Sequence, residues 1–388
     1  MNMNVDARLS SQANTIGLES VKAATGHRGA LSSGLRVQVV APLEWDEIAT
    51  GFADILPEQT GAFNIARWGE DRIECVKFLE NDRIVGGAVA YVRPIPLTGT
   101  GIAIVKWGPI WRAKGQEVSD DMYRRIILAL DEEYCTRRNM HLTVAPQAVP
   151  PYDALALKVL EQLGFSRGAS FAAPERYLVN VDLAEDDLMA SLDQKWRYNL
   201  RKSWKNEFDI AFCNDDNGLK EFLKLYTEMT SRKQFLDASA IDSLEDFVRN
   251  GVNGIRPSVV LVSHEGTPTA GGVFFASGEV ASYMYGATDG RALRLKAGYA
   301  MHWWIAQHYC QQPGVKWYDL GGNDLDSGLH QFKKGMVGKG GSIVDAPPRF
   351  HHARSLLSNF LGTSVFRLRD AMSAVERYKH DLLRKAGR

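Results

Sequence analysis

The chain has 388 residues, 45% hydrophobic and 24% charged, proportions of a folded globular protein that exclude global disorder and fibrous repeats. Its 46 Lys+Arg balance 46 Asp+Glu, so no whole-molecule field gathers DNA or an anionic surface, and no DNA partner is expected. At ~150 residues per domain the length calls for two domains plus tails.

Cys75, Cys135, Cys213 and Cys310 lie far apart without a CxxC pair, so they read as buried thiols of a reducing compartment. No run approaches the ~18 apolar residues of a membrane span. No basic segment followed by an apolar run opens the chain, so a cytoplasmic location is expected.

Residues 1–34, rich in Ser, Ala, Gly and Asn, read as a loose tail. Val37 to Val40 predicts a strand and Leu43 to Leu56 a helix. Cys75–Leu79 and Ile84–Val92 predict a hairpin across Glu80-Asn81-Asp82-Arg83. Ile102–Trp107 is a further strand. A helix capped near Ser119 and Asp120, a strand at Leu142–Val144 and a helix over 155–163 closed by Gly164 follow. The second half repeats this order: helix Leu219–Thr230, strands Val259–Ser263, Gly271–Ala276 and Ala281–Tyr285, helix Gly298–Gln311, then strand Lys316–Leu320.

Two coincidences point to duplication. Residues 83–89 match residues 268–274 in turn, glycine pair and apolar continuation, and Tyr134-Cys135 matches Tyr309-Cys310 at the end of a helix. The expected fold is α/β (α+β): two tandem N-acetyltransferase-like (GNAT-like) units with mixed sheets, over 35–185 and 186–345.

Three segments are candidates for chemistry. Over 195–205, five cations stand with no acid. On a helix, Arg197 and Arg201 share a stripe beside Trp196, Leu200 and Trp204, which are expected to point inward. With Lys195, they form either a solvated basic face or a ridge for donor phosphates. Asp319-Leu320-Gly321-Gly322 ends a strand: the glycines allow close approach to a ligand or a tight turn, and Asp319 is either a proton acceptor or a turn cap. Residues 329–335, with Phe332 and Lys333, read as a polar loop anchored by the phenylalanine.

Seven segments in order resemble the Fem-type aminoacyltransferases, which build peptidoglycan cross-bridges and carry two acetyltransferase-like domains. They are Trp107-Gly108-Pro109-Ile110, Leu142-Thr143-Val144-Ala145-Pro146, Leu163-Gly164-Phe165, the run from Lys195 to Lys202, Tyr285-Gly286-Ala287, Tyr318 to Gly322, and Phe332-Lys333-Lys334-Gly335. The resemblance implies transfer of an aminoacyl or acyl group to an amine of a cell-envelope glycan or peptidoglycan precursor, nucleotide-sugar or lipid-linked. It places Arg232 and Tyr285 at the nucleotide-sugar phosphates, Lys333 near the transferred acyl group and Phe332 beside it. A fixed ammonium can stabilise the oxyanion of acyl transfer by several kcal/mol. An amine nucleophile needs no covalent intermediate, and no Gly-x-Ser-x-Gly elbow is present.

Some bridge enzymes insert a helical hairpin thought to touch tRNA, and the run from Asn206 to Ser258 has no room for one. Residues 294–300 nearly match a pyrophosphate loop, with Arg294 one position early. The expected donor is therefore aminoacyl-tRNA or acyl-CoA, with no tightly bound cofactor. The histidines show no metal spacing. Two other readings are an acetyl-CoA-dependent N-acyltransferase of exopolysaccharide synthesis and a non-catalytic glycan- or RNA-binding relative. Over 346–388, Val365, Leu368, Met372, Val375 and Leu382 predict an amphipathic basic helix whose apolar stripe packs on the first domain; a peripheral hold on an anionic membrane is the alternative.

Overall fold

The computed structural model describes residues 32–170, 175–233, 240–252, 254–322 and 327–386. The expected tail lies, up to Leu31, outside them. The first half runs β1 (Arg36–Val40), α1 (Pro42–Ala49), α2 (Gly61–Trp68), β2 (Ile73–Glu80), β3 (Arg83–Ile95), β4 (Thr100–Lys106), α3 (Asp120–Leu130), β5 (His141–Ala145), α4 (Tyr152–Gln162) and β6 (Ser166–Arg167). There follow β7 (Glu175–Asn180), α5 (Glu185–Ser191), α6 (Gln194–Ser203), β8 (Phe208–Phe212), α7 (Asp216–Lys233), α8 (Leu244–Asn250), β9 (Ser258–His264), β10 (Thr267–Ala276) and β11 (Val280–Thr288). The chain ends with α9 (Ala292–Leu295), α10 (Ala297–Cys310), β12 (Trp317–Asp319), α11 (Ser327–Val337), β13 (Ser342–Asp345), β14 (Phe350–His352) and α12 (Leu356–Ala386).

The repeat is visible in local chemistry. The β2–β3 hairpin turns on Asn81 and Asp82, and the β9–β10 hairpin on Glu265 and Gly266, each pair with both residues at positive φ. A two-residue turn of that kind matches the right-handed twist of paired strands, so the same device opens each meander. The strands form two seven-stranded mixed sheets, in the orders β1-β2-β3-β4-β5-β14-β6 and β13-β7-β12-β11-β10-β9-β8. In each, an antiparallel meander ends in one parallel pair, β4 with β5 and β11 with β12.

Each sheet is completed by a strand from outside the expected boundaries. β7, which the boundary at 185 assigns to the first half, pairs with β12 and β13. β14, beyond residue 345, pairs with β5 and β6. The halves also share a core in which Trp45, Phe52 and Phe63 pack with Phe247, Ile255 and Phe275.

Several local expectations are corrected. The helix expected over 43–56 ends at Ala49, where Phe52 N–H turns back to the Ala49 carbonyl. Asp46, fully buried in α1, accepts the N–H groups of Gly61 and Ala62 and so caps α2, a tertiary cap that no local pattern announces. Phe332 and Lys333 stand on helix α11, not in a loop. Trp196 and Leu200 point inward, whereas Trp204 is 56% exposed.

An ionic cluster fastens the halves. Arg112 donates to Glu279, which also meets Lys316 at 2.8 Å, while Asp54 accepts the N–H groups of Trp111 and Arg112. Asp54 is 2% exposed, and burial pushes its pKa up to about 6 despite Arg112 and these donors. The unfolded value is about 3.9, so this group adds stability that is complete below pH ~4 and lost as pH rises through about 6. The stability of the wild type relative to Asp54→Asn should fall by up to about 3 kcal/mol from about pH 4 to about pH 7. Denaturant unfolding across that range checks this, and a gap that widened with pH would refute it.

Candidate active site

The parallel pairing of β11 with β12 runs only from Val280–Trp317 to Ser282–Asp319. Beyond it β11 continues along β10 while β12 stops, and the sheet opens. A cavity of about 350 Å³ occupies this opening and reaches across to the first half. Tyr283 and Tyr285 of β11, Asp319 at the end of β12, Gly321 and Gly322 just beyond it, and Lys333 of α11 form one wall; Glu58, Arg67, Trp107 and Arg176 line the other parts.

The corresponding point of the first sheet is closed. β4 and β5 stay paired through Lys106–Ala145, and Gln147 donates to the carbonyls of Asp54 and Trp107 at 2.6 and 3.0 Å. With Trp111, Arg112 and Tyr152 packed beside it, a space of only about 20 Å³ remains there. The two copies are unequal: the second carries the larger opening.

Lys333 is 6% exposed, and its ammonium donates to the Gly322 carbonyl and lies 5.8 Å from the centre of the Tyr177 ring. Gly321 sits at φ 75°, where a side chain would be strained, and its missing Cβ would lie 3.8 Å from the ammonium. The glycine pair therefore lets backbone and ligand approach Lys333 closely. Behind it His302 bonds to the Tyr318 hydroxyl at 2.6 Å. Burial, and then the Lys333 ammonium, hold this histidine's pKa down at about 3, so it is neutral. A neutral aromatic backing concentrates the field of the lysine toward the cavity.

Asp319 is committed. Oδ1 accepts the Gly321 N–H at 2.8 Å, and Oδ2 accepts from Nε of Arg176 at 3.1 Å and from its Nη2. Arg176 in turn stacks on Trp107, 5.3 Å from the ring centre. Thus β7 and β12 together hold a guanidinium against the cavity. On another wall Glu58 meets Lys106 at 3.3 Å.

Of the residues singled out from sequence, Tyr285, Asp319, Gly321, Gly322 and Lys333 converge on the cavity. The others do not line it. Phe332 packs among Trp196, Tyr299 and His302. Arg232, exposed at the end of α7, donates to the Thr288 carbonyl at 2.8 Å. Arg197 donates to the carbonyls of Ala190 and Leu192 at the end of α5, while Lys195 and Arg201 face solvent. Glu58, Arg67 and Arg176 went unnoticed because they fall in no motif; only the fold brings them together. Among the described residues no group of His, Cys, Asp and Glu could hold a metal ion.

Residues 190–334 match the family described as the acetyltransferase (GNAT) domain. That stretch is a GNAT-like domain by this match, one of two such units in a tandem fold. That tandem fold is shared with the crystal structure of FemX, at 16% identity and TM-score 0.68 over 85% of this chain and 99% of that one. It is also similar to the C-terminal domain of a putative lysylphosphatidylglycerol synthetase from Agrobacterium fabrum, at 12% identity and TM-score 0.51 over 84% and 97%. L-PGS from Bacillus licheniformis gives 12% identity and TM-score 0.50 over 84% and 96%. At these identities the likeness is one of fold. No curated protein matches the sequence. Within the Fem-type fold, the cavity described above lies where the second GNAT sheet parts.

Proposed function

We propose that this acyltransferase moves an aminoacyl or acyl group from an activated ester or thioester to an amine of a cell-envelope glycan or peptidoglycan precursor. The observation that carries the reading is the buried Lys333 ammonium fixed beside Gly321 and Gly322 at the mouth of the parted sheet. The amine attacks the acyl carbonyl, a C–N bond forms, and the C–O or C–S bond to the donor breaks. Charge gathers on the carbonyl oxygen in between, and a prepositioned cation in a site shielded from water lowers that barrier. The amine proton goes to Glu58, the wall carboxylate whose partner Lys106 is at 3.3 Å, and then to the leaving group. Asp319 acts as a positioning residue through Arg176. Arg67 and Arg176 give the cavity the positive charge that a phosphorylated or carboxylated acceptor needs.

A CoA thioester donor is the second reading, favoured by the match of 190–334 to the acetyltransferase domain. Purified protein with labelled aminoacyl-tRNA or labelled acetyl-CoA, and either nucleotide-linked or lipid-linked envelope precursors, separates the two. Label should pass from one donor into an amide on the precursor. Donor left intact in every combination would overturn the proposal in favour of a binding protein.

A further inference from the structure

The C-terminal helix α12 is turned inside out. Its packed line is Ser358, Gly362, Phe366 and Asp370, spaced four apart. Gly362 lies so close to the first sheet that a Cβ there would come within 2.1 Å of the His141 ring. Phe366 packs at a tilt against the His141 and His351 rings, and Arg349 donates to Asp370. These contacts fix the rotation of the helix. The opposite face, expected from sequence to pack inward, is left in solvent: Leu356 is 90%, Phe360 69% and Leu368 64% exposed, and Val365, Met372 and Val375 continue the stripe.

We infer that this face is a docking surface for an anionic lipid bilayer. Two features commit it to that occupant. The stripe is built of Leu, Phe, Met and Val along about 30 Å of helix, the footprint of a segment lying in a membrane interface. And residues 354–388 carry eight Arg and Lys against three Asp and Glu, a local positive excess in a chain whose total formal charge is zero. Arg367 and Arg369 stand exposed beside the apolar stripe in this basic segment, an arrangement that complements acidic headgroups over acyl chains, whereas a second copy of the same segment would bring like charge to like. Among the described residues no helix is long and apolar enough to cross a membrane, so the attachment is lateral. The inference is independent of the reaction assigned above.

Flotation of the full chain with phosphatidylcholine vesicles, with and without about a third phosphatidylglycerol, tests it directly. The protein should float with the anionic vesicles, less as NaCl rises to about 0.5 M. The triple variant Phe360→Ser/Leu368→Ser/Met372→Ser, checked for an unchanged melting temperature, should bind at least about tenfold more weakly. Absence of binding, or equal binding by the triple variant, overturns the inference. So does a self-association in solution that the triple variant loses without any vesicle binding, which would give the face to a second copy.

Discussion

Lys333→Met should lower kcat by about a hundredfold to a thousandfold, the size of effect seen when one fixed oxyanion donor is removed. The measurement is turnover with whichever donor and precursor pair the label-transfer assay identifies. KM should change much less, because the charge matters most where the oxyanion forms. A second readout needs no substrate: with the ammonium gone, the His302 pKa should rise from about 3, in part only, since burial is the larger cause of its depression. Unchanged turnover with a shifted His302 would remove Lys333 from the chemistry while confirming its place beside the histidine.

Arg112→Ala should destabilise the protein by about 3–5 kcal/mol, because it leaves the buried Asp54 without its cation and Glu279 with Lys316 alone. The double variant Arg112→Met/Glu279→Gln should lose less than Arg112→Ala alone, since it removes charge along with its partner. Urea unfolding of the three proteins gives both numbers. A loss below about 1 kcal/mol for Arg112→Ala would mean that water reaches the cluster.

Much of the frame was legible in the sequence, and for identifiable reasons. The Asn81-Asp82 and Gly266 turns announce hairpins because few residues accept positive φ there. The glycine pairs at 86–87 and 271–272 mark the same strand of each sheet. Lys333 stands out in the sequence but in the wrong element: the polar residues around Phe332 read as a loop, although Leu329, Phe332, Met336 and Val337 repeat at helical spacing. A basic stripe on α6 could not distinguish Arg197, spent on the carbonyls of Ala190 and Leu192, from Arg201, which faces water. The orientation of α12 was misread because amphipathicity says which residues differ in polarity and not which side another element occupies. Arg176 was invisible, since a strand's alternation does not say which sheet it will join, and Glu58 stands on the single turn Pro57–Gln59, too short to carry a periodic pattern.

The borrowed strands bear on how this protein can be handled and how it can evolve. The stretch recognisable as an acetyltransferase domain, 190–334, lacks β7 and β13, and so ends its sheet on a bare β12 edge. It also lacks Arg176, the partner of Asp319, and with Trp107 and Glu58 it leaves behind much of the far wall. The second half is therefore not an excisable module. Expressed by itself it would present an edge inviting aggregation and a cavity open on one side, and a recombination joint between the halves would break two sheets at once.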